Sequence, residues 1–148
     1  PIATITAWTL HAPNDGWTES SKEFEYEGTY PASGTKTFLV QYRMQAQFYT
    51  TGATGATVAL ACKITKDTGS GHADVPGSLE ISDQDHYTTG FGAFFHFHTL
   101  SGSCIVSVDA GHKLAFNIGT FGFGTYVPVA LATTAGTEGA TITITPIG

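Results

Sequence analysis

The chain has 148 residues, of which 41% are hydrophobic and 12% aromatic, but only 12% are charged, about half the share usual in a soluble domain. Twelve Asp and Glu stand against six Lys and Arg with no basic cluster, which excludes nucleic-acid binding by counterion release. The length fits one domain, residues 1–148. No run is apolar enough to span a bilayer as a helix, and no basic segment followed by an apolar stretch opens the chain, so neither a membrane partner nor a signal peptide is expected.

In chain order, residues 2–10 read as a strand, 11–18 as a loop holding Trp17, and 18–22 as room for one helical turn. In residues 23–30, Glu23, Glu25 and Glu27 alternate with Phe24 and Tyr26. A strand here puts three carboxylates on one face, where they discourage pairing at a sheet edge. Residues 38–48 alternate most regularly: Phe38, Val40, Tyr42, Met44, Ala46 and Phe48 against Leu39, Gln41, Arg43, Gln45 and Gln47. The glycine-bounded turn at 52–55 predicts a hairpin into a strand at 57–66, with Val58, Leu60, Cys62 and Ile64 inward. A loop at 67–77, a short strand at 79–82 and a polar turn at 83–86 follow. Strands are predicted at 93–100, 104–108, 113–118, 126–133 and 140–146, with a turn at 109–112. Eight to ten close-spaced strands and no intervening helix predict an all-β fold, an antiparallel jelly roll or β-sandwich.

The densest chemistry lies at Phe94-Phe95-His96-Phe97-His98. If Phe95 and Phe97 enter the core, then Phe94, His96, His98 and Leu100 form a half-apolar outer stripe that suits a subunit contact. His96 and His98, two apart on a strand, also have the spacing to grip one metal; surface and buried hydrogen-bonded roles stay open beside that one. Cys62 and Cys104 fall at apolar strand positions and read as buried free thiols, with one disulfide between neighbouring strands as the alternative. Trp17, with Asn14, Asp15 and Asp85, is a candidate set for holding a glycan by stacking and hydrogen bonds. No Gly-x-Ser-x-Gly elbow occurs. Asp67, Asp74, Asp83 and Asp85 lack the spacing of a calcium loop. No catalytic residue and no cofactor are expected.

The segment IVSVDAGHKLAFNIG, with the closing ATITITPIG, resembles the jelly-roll head of complement-type and tumour-necrosis-factor-like trimers, which bacterial and phage proteins share. The resemblance implies a homotrimer whose last strand, with Ile142 and Ile144, lies beside the subunit contact. His96-Phe97-His98 is similar to the His-x-His of some phage spike and fibre tips. Gly90 with His96 and His98 also resembles the first cupin motif, but the Glu expected after the second His is missing and Leu114 stands where a further His is required. Pro1-Ile2-Ala3 suits removal of an initiator Met and synthesis in a host cytoplasm. Together these imply a non-enzymatic virion protein, a capsid-decoration or fibre-head trimer of a bacteriophage, with the capsid shell as partner. A module that binds cell-surface glycan is the alternative, and a cupin-like metal protein the minor one.

Overall fold

The computed structural model describes residues 2–4, 16–20, 23–28, 34–50, 57–81, 85–86, 94–123, 130–132 and 140–147. Their regular structure is all strand, and no described helix is long and apolar enough to cross a membrane. In order, the strands are β1 (Ile2–Thr4), β2 (Trp17–Ser20), β3 (Glu23–Tyr26), β4 (Lys36–Thr50), β5 (Thr57–Asp67) and β6 (His72–Asp74). Then come β7 (Glu80–Ile81), β8 (Asp85–His86), β9 (Phe94–Val108), β10 (Lys113–Phe123), β11 (Ala130–Ala132) and β12 (Ala140–Pro146).

The strands form two antiparallel sheets packed face to face, an all-β sandwich. In the first sheet β10 pairs with β5 along its whole length, from Lys113↔Asp67 to Phe123↔Thr57. The other edge of β10 takes β3 and then β1, and β2 adds beyond β3. The far edge of β5 carries β8, β7 and β6 in succession. In the second sheet β4 is central. It pairs with β9 from Lys36↔Val108 to Thr50↔Phe94, and with β12 and β11 in line on its opposite edge.

Period-two patterning decides which side chains meet. Phe38, Val40 and Tyr42 of β4 are buried, while Gln41 and Arg43 are exposed. On β9, Leu100, Cys104, Val106 and Val108 point inward between the exposed Ser101, Ser103, Ile105 and Ser107. From the other sheet Cys62, Ile64, Leu114, Phe116 and Ile118 complete the core. Trp17, Tyr26 and Phe38 close one end, with ring centroids 5.2–5.3 Å apart. Each such side chain contributes about 1.5–3 kcal/mol by leaving water.

Several expectations need correction. β4 and β5 are not a hairpin: they lie in different sheets, because β9 and β12 occupy both edges of β4 and β5 has β10. Of the helical turn expected at 18–22, the described residues 18–20 belong instead to strand β2, held to β3 by the Trp17↔Tyr26 register, so burial of Trp17 overrides local preference. The carboxylate-bearing β3 is not an edge strand but lies between β2 and β10. Asp85 and His86, expected in a turn, pair with Val58 and Thr57, and β6 forms inside the expected loop at 67–77. The two strands expected at 93–100 and 104–108 are one, β9. Gly102 does not break it. A Cβ there would sit 2.5 Å from the Tyr42 hydroxyl oxygen, so the glycine makes room for a ring rather than a turn.

The expected turn at 109–112 is present and carries the chain from β9 in one sheet to β10 in the other. Gly111 takes φ +82°, the left-handed region that favours glycine. The amide of Gly111 donates to the Tyr26 carbonyl (2.8 Å), and that of Tyr26 to the His112 carbonyl (3.0 Å). Of the strands expected at 2–10 and 126–133, the described parts are β1 and β11.

Candidate functional site

On the outer face of the first sheet a chain of polar side chains crosses four strands. The buried Asn117 amide donates to Thr65 Oγ1 (2.8 Å), Thr65 Oγ1 lies 3.1 Å from His72 Nδ1, and His72 Nε2 lies 2.7 Å from Glu23 Oε1. An ionised carboxylate only accepts, so a neutral imidazole donates from Nε2 and leaves Nδ1 to accept the Thr65 hydroxyl. Lys113 Nζ adds ion pairs to Glu23 (3.4 Å) and Glu25 (3.8 Å). The His72 hydrogen bond, aided by Lys113 and opposed by partial burial, holds the Glu23 carboxyl below its usual range. The turn that presents His72 is fixed by Asp67, whose carboxylate accepts the amides of Gly69 and Gly71, each at 2.8 Å. Those two amides are the main reason the Asp67 carboxyl is also lowered.

Hydroxyl, imidazole and carboxylate in a row have the order of a hydrolase triad. The chemistry does not follow. Thr65 is 6% exposed, and its oxygen already accepts from Asn117. This relay ties β3, β10, β5 and β6 together.

Behind the second sheet lies a buried polar knot. Tyr42 Oη donates to the Ser78 carbonyl. Ser78 Oγ donates to the Ile64 carbonyl and accepts the Ile64 amide, both at 3.1 Å. Cys62 and Cys104 are free and buried, as their apolar strand positions predict. Burial, with help from Glu80, pushes the Cys62 thiol up to about 12. Burial also raises Cys104 and Tyr42, the latter helped by Cys62, Glu80 and Cys104. Burial thus favours the thiol over the thiolate at both positions.

The outer face of the second sheet is different in kind. An open groove of about 530 Å³ runs across β12, β4 and β9. Its walls are Gln41, Arg43, Ser101, Ser103, Thr141 and Thr143, with Gly102 in the floor beside Tyr42 and Glu80.

The candidate residues fall as follows. Trp17 is not an exposed platform: it is 3% exposed and packed on Tyr26 and Phe38, because pairing with β3 turns its ring inward. Its indole Nε1–H has no acceptor among the described residues, a deficit of about 1–3 kcal/mol for a buried donor. Asn14 and Asp15 lie outside the described residues, as does the side chain of Asp85. Leu100 does not belong to an outer stripe: it is 6% exposed and packs in the core between the sheets. Phe94, His96 and His98 take alternate positions on the same strand, in register with Thr50, Phe48 and Ala46; their side chains lie outside the described residues. Ile142 and Ile144 are half-buried and rest on the core. Among the described residues no group of three or more His, Cys, Asp or Glu is placed to hold a metal.

Neither the relay nor the groove was singled out by sequence. The exposed half of the alternation at residues 38–48 named Gln41 and Arg43, but nothing local told that Ser101, Ser103, Thr141 and Thr143 would stand beside them. Neither a known protein-family model nor a curated protein matches the chain.

Proposed function

We propose that the chain is a non-enzymatic structural protein of a virion surface, a homotrimeric capsid-decoration or fibre-head protein of a bacteriophage. The observation that carries the oligomer is the state of β12. Ile142 and Ile144 reach the core from a strand that pairs only with β4 among the described residues, and they remain half-buried; the adjoining Ile147 is 50% exposed. In a chain so poor in charge, an apolar sheet edge left partly open is expected to close against another copy. The sandwich fold agrees with the jelly-roll head that the segments at 105–119 and 140–148 resemble. The buried Thr65 hydroxyl and the buried thiols offer no activated nucleophile among the described residues.

Two measurements test the two halves of this reading. Light scattering of the purified chain is expected to give three times the chain mass, with the Ile142→Glu, Ile144→Glu double variant reduced to a folded monomer. A wild-type chain that stays monomeric overturns the oligomer. The virion assignment is tested by gene neighbourhood: capsid or tail genes are expected beside this one, and a metabolic operon contradicts it.

A further inference from the structure

We infer that the groove on the outer face of the second sheet is a binding site for a saccharide bearing a carboxylate, such as a sialic or uronic acid. The volume of about 530 Å³ lies within the roughly 300–1,000 Å³ of small-ligand sites. Its polar groups converge from three strands of one sheet, so their spacing is set by backbone pairing: Thr141↔Arg43 and Thr143↔Gln41 on one side, Ser101↔Arg43 and Ser103↔Gln41 on the other. Groups held on strands are better positioned than groups on loops. The floor is rigid as well. Gly102 has Tyr42 Oη and the Glu80 stem packed beneath it, and the Tyr42 hydroxyl is tied to Ser78.

The chemistry of the walls selects the ligand. Four hydroxyls and one carboxamide offer donors and acceptors of the kind that sugar hydroxyls satisfy. Arg43 is the one ionisable side chain on this outer face among the described residues, and it has no ion pair there. By contrast Lys63 pairs with Asp74, and Lys113 with Glu23 and Glu25. A guanidinium is always charged and presents a planar fork that fits a carboxylate with two parallel hydrogen bonds. One cation near Glu80, in a chain of net charge −6, suits a singly charged carboxylate better than a doubly charged phosphate. The one aromatic ring at the groove, Tyr42, is buried, so affinity rests on hydrogen bonds and the Arg43 contact rather than on stacking.

The inference is independent of oligomeric state, because Arg43 and the hydroxyls come from one copy of the chain. The test is calorimetric titration of the full chain with sialyllactose, with a hyaluronan tetrasaccharide and with lactose. At least one acidic probe is expected to bind, and lactose to bind at least about tenfold more weakly, as loss of a charge-assisted contact implies. Arg43→Gln is expected to cost about tenfold in affinity with an unchanged circular dichroism spectrum, and Thr143→Val severalfold. Failure of both acidic probes to bind at millimolar concentration overturns the proposal. So does lactose binding as tightly as sialyllactose, or binding that survives Arg43→Gln.

Discussion

On the outer face of the first sheet, polar and charged groups answer one another: Glu23 and Glu25 pair with Lys113, Lys63 with Asp74, and the His72 imidazole hydrogen-bonds Glu23. On the outer face of the second, Arg43 stands alone among Ser101, Ser103, Thr141 and Thr143. Thr37 and Ser107 bond each other at one end of that second face (3.1 Å), but the groups that wall the groove have no partner among the described residues, whereas those of the first face spend their hydrogen bonds inside the chain. Polar residues that brace a sheet and polar residues that bind look alike in a sequence. What separates them is whether the partner is already present.

The comparison can be broken most severely beneath the second face. Gly102→Ala puts a methyl 2.5 Å from Tyr42 Oη and 2.7 Å from Glu80 Cγ, and overpacking of that kind costs about 1–3 kcal/mol. Tyr42→Phe leaves the Ser78 carbonyl without its donor, again about 1–3 kcal/mol. The two share one atom, the Tyr42 hydroxyl oxygen. The double variant is therefore expected to cost less than the sum, and urea midpoints of the four proteins measure the difference.

The relay comes next. His72→Ala removes the acceptor of the Thr65 hydroxyl and the donor to Glu23, at a cost of about 1–2 kcal/mol for a partly exposed pair. Glu23→Gln gives the pH signature. A carboxyl lowered by folding stabilises the fold above its ordinary value of 4.5 and loses that contribution as pH falls through the depressed value. The stability gap between wild type and Glu23→Gln is thus expected to be full at neutral pH and to close on acidification below 4.5. A gap that widens in acid contradicts the assigned direction. Lys63→Ala, which breaks an exposed ion pair of 2.5 Å with Asp74, is expected to cost no more than about 1 kcal/mol.

The smallest effect belongs to the second face itself. Ser101→Ala, Thr143→Ala and Arg43→Gln touch groups without partners among the described residues, and each is expected to stay within about 0.5 kcal/mol of wild type. A larger loss would make this face a brace like the first.

Much of the fold was legible because period-two alternation is a local signal. Phe38, Val40 and Tyr42 against Gln41 and Arg43 name a strand and its inward face from sequence spacing alone. Pairing is not local. The turn at 52–55 looked like a hairpin because nothing in those residues tells that β4 has β9 and β12 on its two edges. Gly102 looked like a break because its reason for being glycine, the Tyr42 ring, is sixty residues earlier in the chain. Trp17 looked like a surface ring because its partners, Tyr26 and Phe38, come from a neighbouring strand and from the opposite sheet. The relay stayed hidden for the same reason: His72 and Glu23 are 49 residues apart, and neither sits in a motif.

We propose that β12, whose outer edge has no strand partner among the described residues and whose Ile142 and Ile144 are half-buried, is covered by other copies of the chain. Sedimentation equilibrium of the unmodified protein over a wide dilution series tests it most directly. The account requires a trimer that persists into the nanomolar range; a single monomeric species at every concentration would contradict it.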